Sequence, residues 1–323
     1  YSALGLTNEQ MTANPVWKDL TGNGHDLQMK NFAWKGMSGV GGYGDENYQT
    51  FYKFTLDDYV FIANSPGVEH MNFTFRVTGL QPGNKLTLAF FGTINTVYGT
   101  WNKDGIYTVD ADIVEAGKPT YFYNGYGATR GEFTIEILPL YPGALVFDGV
   151  DDYGTCDNFP ILTKEKGYTV VALRQWISMG EGVSGLVSNV KNWFNDGAFV
   201  LEYNSNNATN KFVNRPVSFG KVNIEMDLPN NFTYQTSKSY KGVPITTGSF
   251  KGTNSLFVGK LDNIIGNCSN VAIWELVFLD HDATEEELTK IKDYFVKTYP
   301  WLFPDQAWTV VGKTNEDEDR ATI

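Results

Sequence analysis

The sequence predicts an all-β chain: a β-sandwich carrying a second, smaller β-sandwich as an insertion, with one short helix near the C-terminus. Three observations predict it. Short apolar runs such as FTFRVTGL, KLTLAFFGT and GEFTIEIL recur between turn-like clusters, which is the spacing of sandwich strands. Strong helix formers are scarce, while Gly (33), Tyr (18) and Phe (22) are plentiful. One stretch, around residue 290, shows helical periodicity between clear start and stop signals.

The elements follow in order. Residues 15–28, PVWKDLTGNGHDLQ, hold a sharp reversal at Thr21-Gly22-Asn23-Gly24, because glycine and asparagine tolerate positive φ. Residues 144–153, ALVFDGVDDY, read as a buried strand running into an Asp/Gly turn. Strand-like runs then follow at 168–177, 184–189, 198–204, 217–228, 255–264 and 271–279. In WELVFL, Trp274, Leu276 and Phe278 alternate with Glu275, Val277 and Leu279, so both faces of that strand are expected to be covered. Thr284 and Glu287 form a capping box; Leu288, Ile291 and Phe295 make one apolar stripe, and Tyr299-Pro300 ends the helix. Residues 46–142 carry their own strands, a turn at GLQPGNK (79–85) and dense aromatics, enough for a small sandwich.

Composition limits the partners. At 42% hydrophobic and 15% aromatic, the chain has material for real cores, and its 323 residues suit about two domains. A net charge of −12 argues against nucleic acid and anionic membranes, whose phosphates need a basic surface. No window reaches the ~18 apolar residues that span a bilayer, so no membrane insertion is expected. Cys156 and Cys268 suit either one bridge or two buried thiols, and no Cys/His metal spacing exists. Four Asn-x-Ser/Thr triplets, at Asn72, Asn207, Asn231 and Asn267, count only in a glycosylating source.

W-x-DLTGNGHD, then ALVFDGVDDY, then VAIWELVFLDHDATEEEL resemble the laminin-G-like branch of the concanavalin A-like lectin/glucanase superfamily. Trp17, Asp19, Gly22, Asn23, Gly24 and Asp26 match the opening. Phe147, Asp148, Gly149, Asp151, Asp152 and Tyr153 match the second element, and Glu275 and Glu285 to Leu288 the third. The resemblance covers about 15–45 and 143–300. It implies a jelly roll of two antiparallel sheets, 1–45 with 143–307, interrupted by a guest sandwich over 46–142. Members of the family bind glycans or proteins, sometimes with calcium, and occur in tandem in bacterial surface proteins and phage fibres.

The two ends of the chain bear on that tandem habit. Aligned without gaps, YSALGLTNEQMTANPV and WTVVGKTNEDEDRATI share Gly5/Gly312, Thr7/Thr314, Asn8/Asn315 and Glu9/Glu316. Residues 308–323 are therefore expected to begin a further repeat, 307 residues after the first (308 minus 1). With Tyr at position 1 and no leader before it, the chain is expected to be a piece of a longer polypeptide.

Candidate sites fall in three classes. For catalysis, superfamily glucanases carry E-x-D-x-x-E, whose two carboxylates act as nucleophile and acid at about 5–5.5 Å separation. Residues 225–230 read EMDLPN: Glu225 and Asp227 match, but Asn230 stands where the acid belongs, and an amide does not supply that proton. His25, His70 and His281 lie far apart, and no nucleophile elbow or phosphate loop appears. For a metal, Asp148, Asp151 and Asp152 cluster in one turn, and Ca2+ favours such oxygens, although Asx residues also build turns for themselves. Asp104, Asp110 and Asp112 form a second set. For a glycan, three loops place aromatics beside amides: Trp193, Phe194 and Asn195; Tyr98, Trp101 and Asn102; Tyr123, Asn124 and Tyr126.

The expected function is non-enzymatic recognition of a carbohydrate or cell-surface polysaccharide by a unit of a tandem-repeat surface or phage fibre protein. Its place would be extracellular, on a cell surface or a virion. Adjacent repeats of the same polypeptide would be its neighbours. A homo-oligomer would suit a fibre, but no heptad or triple-helix repeat enforces one. The alternatives are a structural spacer and a glycoside hydrolase of the same superfold.

Overall fold

The computed structural model describes residues 1–44, 51–54, 59–62, 69–92, 95–124, 132–178, 183–189, 200–204, 211–214, 222–225, 232–240, 242–244, 253–261 and 268–303. The chain divides into two compact units. One comprises Tyr1–Ser2, Val16–Lys30 and Gly149–Ile323, the other Ala3–Pro15 and Asn31–Asp148.

The first unit is an all-β sandwich of antiparallel sheets. One sheet orders its strands Val16–Trp17, Leu27–Lys30, Tyr153–Cys156, Leu256–Val258, Val183–Ser188, Val200–Asn204, Lys211–Asn214 and Val222–Glu225. The other runs Val243–Pro244, Ser239–Tyr240, Phe232–Thr236, Thr169–Trp176 and Asn270–Leu279. Central strands are covered on both faces, as an unbroken apolar run requires. Val170 to Leu173 are buried without interruption, as are Val271 to Leu276. The expectation for WELVFL therefore holds at Trp274, Glu275 and Leu276. Cys156 and Cys268 are not joined in a disulfide.

The predicted helix spans Glu285–Thr298. The Glu287 amide donates to Thr284 Oγ1 (3.2 Å), and the Thr284 amide donates to Glu287 Oε2 (2.8 Å), which closes the capping box. Its stripe faces the second sheet: Phe295 is fully buried and meets Phe232 edge-on at 6.0 Å. With Tyr299 as cap, the chain turns into a short 3-10 segment, Pro300–Leu302.

The second unit contains two four-stranded antiparallel sheets. One runs Tyr59–Ile62, Thr120–Asn124, Leu86–Phe90 and Thr96–Trp101; the other Phe51–Phe54, Phe133–Leu138, His70–Thr78 and Gly105–Asp112. HMNFTFRVT alternates strictly, so Met71, Phe73, Phe75 and Val77 all point inward and are buried. They share one core with Leu86, Leu88, Phe122, Ile135 and Ile137. Each such side chain contributes about 1.5–3 kcal/mol by leaving water.

Residues before and after these sheets belong to the same unit. Gly39–Val40 pairs antiparallel with Leu145–Asp148. A second helix, Asn8–Ala13, stands where none was expected. Thr7 caps it, with Gln10 returning the bond: Gln10 N to Thr7 Oγ1 is 3.2 Å and Thr7 N to Gln10 Oε1 is 3.1 Å. Asn8 extends the role of a strand, since its amide both accepts from Val40 N (2.7 Å) and donates to Val40 O (3.3 Å). Only glycine fits at 39, where a Cβ would stand 2.5 Å from Asn8 Oδ1 and φ is +151°.

Candidate functional site

The opening motif is a self-bonded turn. The Thr21 amide and hydroxyl donate to Asp19 Oδ1 at 2.9 and 2.7 Å, and the His25 amide donates to Asp19 Oδ2 at 3.3 Å. Asp26 Oδ1 accepts from the Asp19 amide at 2.8 Å, and its Oδ2 from Lys18 Nζ at 2.7 Å. Burial pushes the Asp19 carboxyl up, but the bonds from Thr21 and His25 outweigh it and hold the group below the usual range. Lys18 and the Asp19 amide lower Asp26 in the same way. Gly22 and Gly24 take φ of +78° and +80°. Trp17 is buried and donates its indole N–H to Ser2 O at 2.7 Å. Asp19, Gly22, Gly24 and Asp26 thus serve the turn, while Trp17 anchors the strand before it.

Asp148, Asp151 and Asp152 lie within one five-residue turn, each offering an oxygen within 4.8 Å of the others. Gly149 makes the turn possible: φ is +80°, and a Cβ would meet Asn270 Cβ at 2.8 Å. Asp152 is fully buried, Asp148 half-buried and Asp151 exposed. Three hard carboxylate oxygens at this spacing fit calcium, which takes about six to eight oxygens, with carbonyls or water completing the set. The second acidic set is accounted for otherwise. Asp104 accepts from the Gly79 and Leu80 amides at 2.9 and 2.7 Å and fixes the 79–85 turn. Asp110 and Asp112 bracket His70, at 2.6 Å from Nε2 and 2.8 Å from Nδ1. Those bonds, Asp112's first, raise the imidazole pKa above its ordinary value.

Trp193, Phe194, Asn195 and Tyr126 lie outside the described residues. So do Asp227 and Asn230, while Glu225 ends the strand Val222–Glu225. Asn124 ends the strand Thr120–Asn124. Asn102 is exposed after the strand Thr96–Trp101. Trp101 and Tyr98 pack against the core of the second unit, Trp101 meeting Phe75 edge-on at 4.8 Å, and the Tyr98 hydroxyl accepts from Val114 N at 3.2 Å. The indole of Trp101 lies across Gly99, where a Cβ would stand 2.5 Å from the ring.

Tyr123 stands elsewhere. Phe91, 46% exposed, has its ring 5.5 Å from that of Tyr123 and 5.8 Å from that of Tyr121, both tilted by 51°. The strand alternates here, with Phe122 fully buried between the two half-buried tyrosines. Ala89 and Thr87 are their register partners on the next strand, small and buried. Three aromatic rings therefore gather on the outer face of one guest sheet, beside the phenol oxygens of two tyrosines. The chemistry offered is stacking on an apolar ring face, with hydroxyls as hydrogen-bond partners.

No family model matches this chain. No curated protein matches it. Among solved structures the chain is similar to a Trypanosoma rangeli sialidase in complex with 2-keto-3-deoxy-D-glycero-D-galacto-2,3-difluoro-nononic acid, at 13% identity and a TM-score of 0.35. The likeness covers 51% of this chain and 28% of the sialidase chain. At that score it decides neither fold nor activity.

Sequence reasoning named Tyr123 but missed Phe91 and Tyr121. The period-two pattern of TYFYN was the available signal: it places Tyr121 and Tyr123 on one face. Phe91 joins them from about thirty residues earlier in the chain, and nothing local announces that meeting.

Proposed function

We propose that the chain is a non-enzymatic recognition module for a carbohydrate or cell-surface polymer. The observation that carries this reading is the cluster of Phe91, Tyr121 and Tyr123. Sugars present apolar C–H faces that stack on such rings, while their hydroxyls bond phenols and amides. Phe91 is 46% exposed and lies outside the buried core cluster, against which Trp101 packs. The resemblance of the larger sandwich to laminin-G-like domains supports the same reading, as does the acidic balance of −12, which favours neutral ligands over anionic ones. On this reading the module sits outside the cell or on a virion, within a longer repeated polypeptide. A calcium ion, where bound, would be held by Asp148, Asp151 and Asp152, supply positive charge and stiffen their turn.

A glycan array probed with the whole chain, with and without Ca2+, tests the proposal. We expect a binder at millimolar affinity or better that is weakened about tenfold or more by Phe91→Ala or Tyr123→Ala, since stacking on one ring contributes ~1–2 kcal/mol. Absence of any millimolar binder removes the reading. A structural spacer is the second reading, favoured by the interior packing of Tyr98 and Trp101; it gains if both variants retain every binding property of the parent.

A further inference from the structure

We propose a binding site of a different kind in the larger sandwich: a hollow that takes a compact quaternary ammonium ion. The hollow has a volume of about 480 Å³, within the ~300–1,000 Å³ usual for small-ligand sites. It is bounded by Tyr1, by the 19–25 part of the opening turn, by 159–162, and by Glu275 to Asp280 of the last strand and the residue after it. All of these belong to one compact unit.

Its walls hold a group of rings. Phe278 meets Phe159 at 4.9 Å and 71°, and Tyr1 at 6.0 Å and 88°. Ring faces attract an organic cation through their quadrupoles. Charge points the same way. Asp19, Glu275 and Asp280 line the hollow, and none of its described lining residues is a lysine or arginine.

The carboxylates also select the kind of cation. Asp19 already accepts from the Thr21 amide, the Thr21 hydroxyl and the His25 amide. Glu275 Oε1 already accepts from Ser2, Tyr294 and Tyr299. Both oxygens of Asp19 and Oε1 of Glu275 are thus engaged internally. A ligand rich in donors gains little from them, whereas an alkylated cation without N–H groups needs only the field and the ring faces.

The test is a calorimetric and NMR titration of the whole chain with choline chloride, against 3,3-dimethyl-1-butanol, which has the same shape and no charge. We expect saturable choline binding at least about tenfold tighter than that of the alcohol, weakening as salt rises. Phe278→Leu should weaken choline by about threefold to tenfold. Asp280 is exposed at the rim, where its carboxylate pairs with His281 Nδ1 at 3.2 Å, so Asp280→Asn should shift thermal unfolding only slightly, weaken choline and flatten the salt dependence; it serves where Phe278→Leu impairs folding. Equal binding of the alcohol, or no saturable choline binding, overturns the proposal. Neither outcome bears on glycan recognition by the guest sandwich, which involves other residues.

Discussion

Replacing Glu275 by leucine should destabilise the larger sandwich by about 1–3 kcal/mol, the cost of taking the charged acceptor away from a buried hydroxyl donor. Glu275 is 5% exposed, and its Oε1 accepts from Tyr299 OH at 2.7 Å, Tyr294 OH at 2.9 Å and Ser2 Oγ at 3.2 Å. A hydrogen bond to a charged acceptor contributes roughly 1.5–3 kcal/mol, so three would suggest more. Two of the three count for less. Tyr294 is 48% exposed, and its hydroxyl regains water once the partner is gone. The Ser2 bond is long. Tyr299 is fully buried, and its hydroxyl keeps only the long 3.4 Å contact with Ser2 Oγ, so losing the 2.7 Å bond costs about 1–3 kcal/mol. Burial, reinforced by Glu275, pushes the Tyr299 phenol up, so it remains a donor at any ordinary pH. Urea denaturation followed by tryptophan fluorescence is the assay, because Trp17 and Trp274 lie in the same core. The double variant Glu275→Leu/Tyr299→Phe should be less destabilised than the sum of the single changes. A cost below about 1 kcal/mol for Glu275→Leu, or strict additivity, would refute the reasoning.

Other predictions concern the guest sandwich and the acidic turn. His70 should titrate above about 6.5 by NMR, and Asp112→Asn should bring it down; its contribution to stability is full below the unfolded value and is lost as pH rises through the raised folded value, and a pKa at or below 6.5 refutes the pairing. Gly99→Ala should cost about 1–3 kcal/mol and shift Trp101 emission to the red, because the new methyl displaces the indole; unchanged emission sinks the argument. Calcium should raise the melting temperature of the wild-type chain but not of Asp148→Asn, with about 2.7 kcal/mol gained at a hundredfold excess over Kd; no shift in the wild type removes the ion from this turn.

The parts of the fold that sequence revealed are those built from neighbours. HMNFTFRVT announces a half-buried strand because its period is two, and Thr284-x-x-Glu287 before an apolar stripe announces a helix. The helix Asn8–Ala13 carries the same capping signal in Thr7-x-x-Gln10, yet it buries only Met11 and shows no stripe. A six-residue helix with one core contact falls below what periodicity detects. This also recasts the likeness between the chain's ends. Thr7, Asn8 and Glu9 begin a capped helix, and Asn8 in addition holds Val40. Helix-start chemistry alone favours Thr-Asn-Glu, so the shared GxTNE supports repetition less strongly than four identities suggest.

The residues that suggested a lectin-like domain are those whose local chemistry is complete. Asp19, Asp26, Gly22 and Gly24 close a turn on itself, and Gly149 is fixed by the approach of Asn270. Such residues must stand at set spacings because they bond to neighbours a few positions away, and spacing is what a sequence displays. A recognition surface obeys no such constraint. Phe91 reaches Tyr121 and Tyr123 across a strand pairing, and Tyr1, Phe159 and Phe278 come together from the start, the middle and the end of the chain. Aromatic counts in loops misdirect for the same reason: Trp101 lies beside a polar turn in sequence but against Phe75 and Tyr107 in space. Motif resemblance in a β-sandwich therefore reports on how its turns close, whereas its ligands are met by side chains that only strand register brings together.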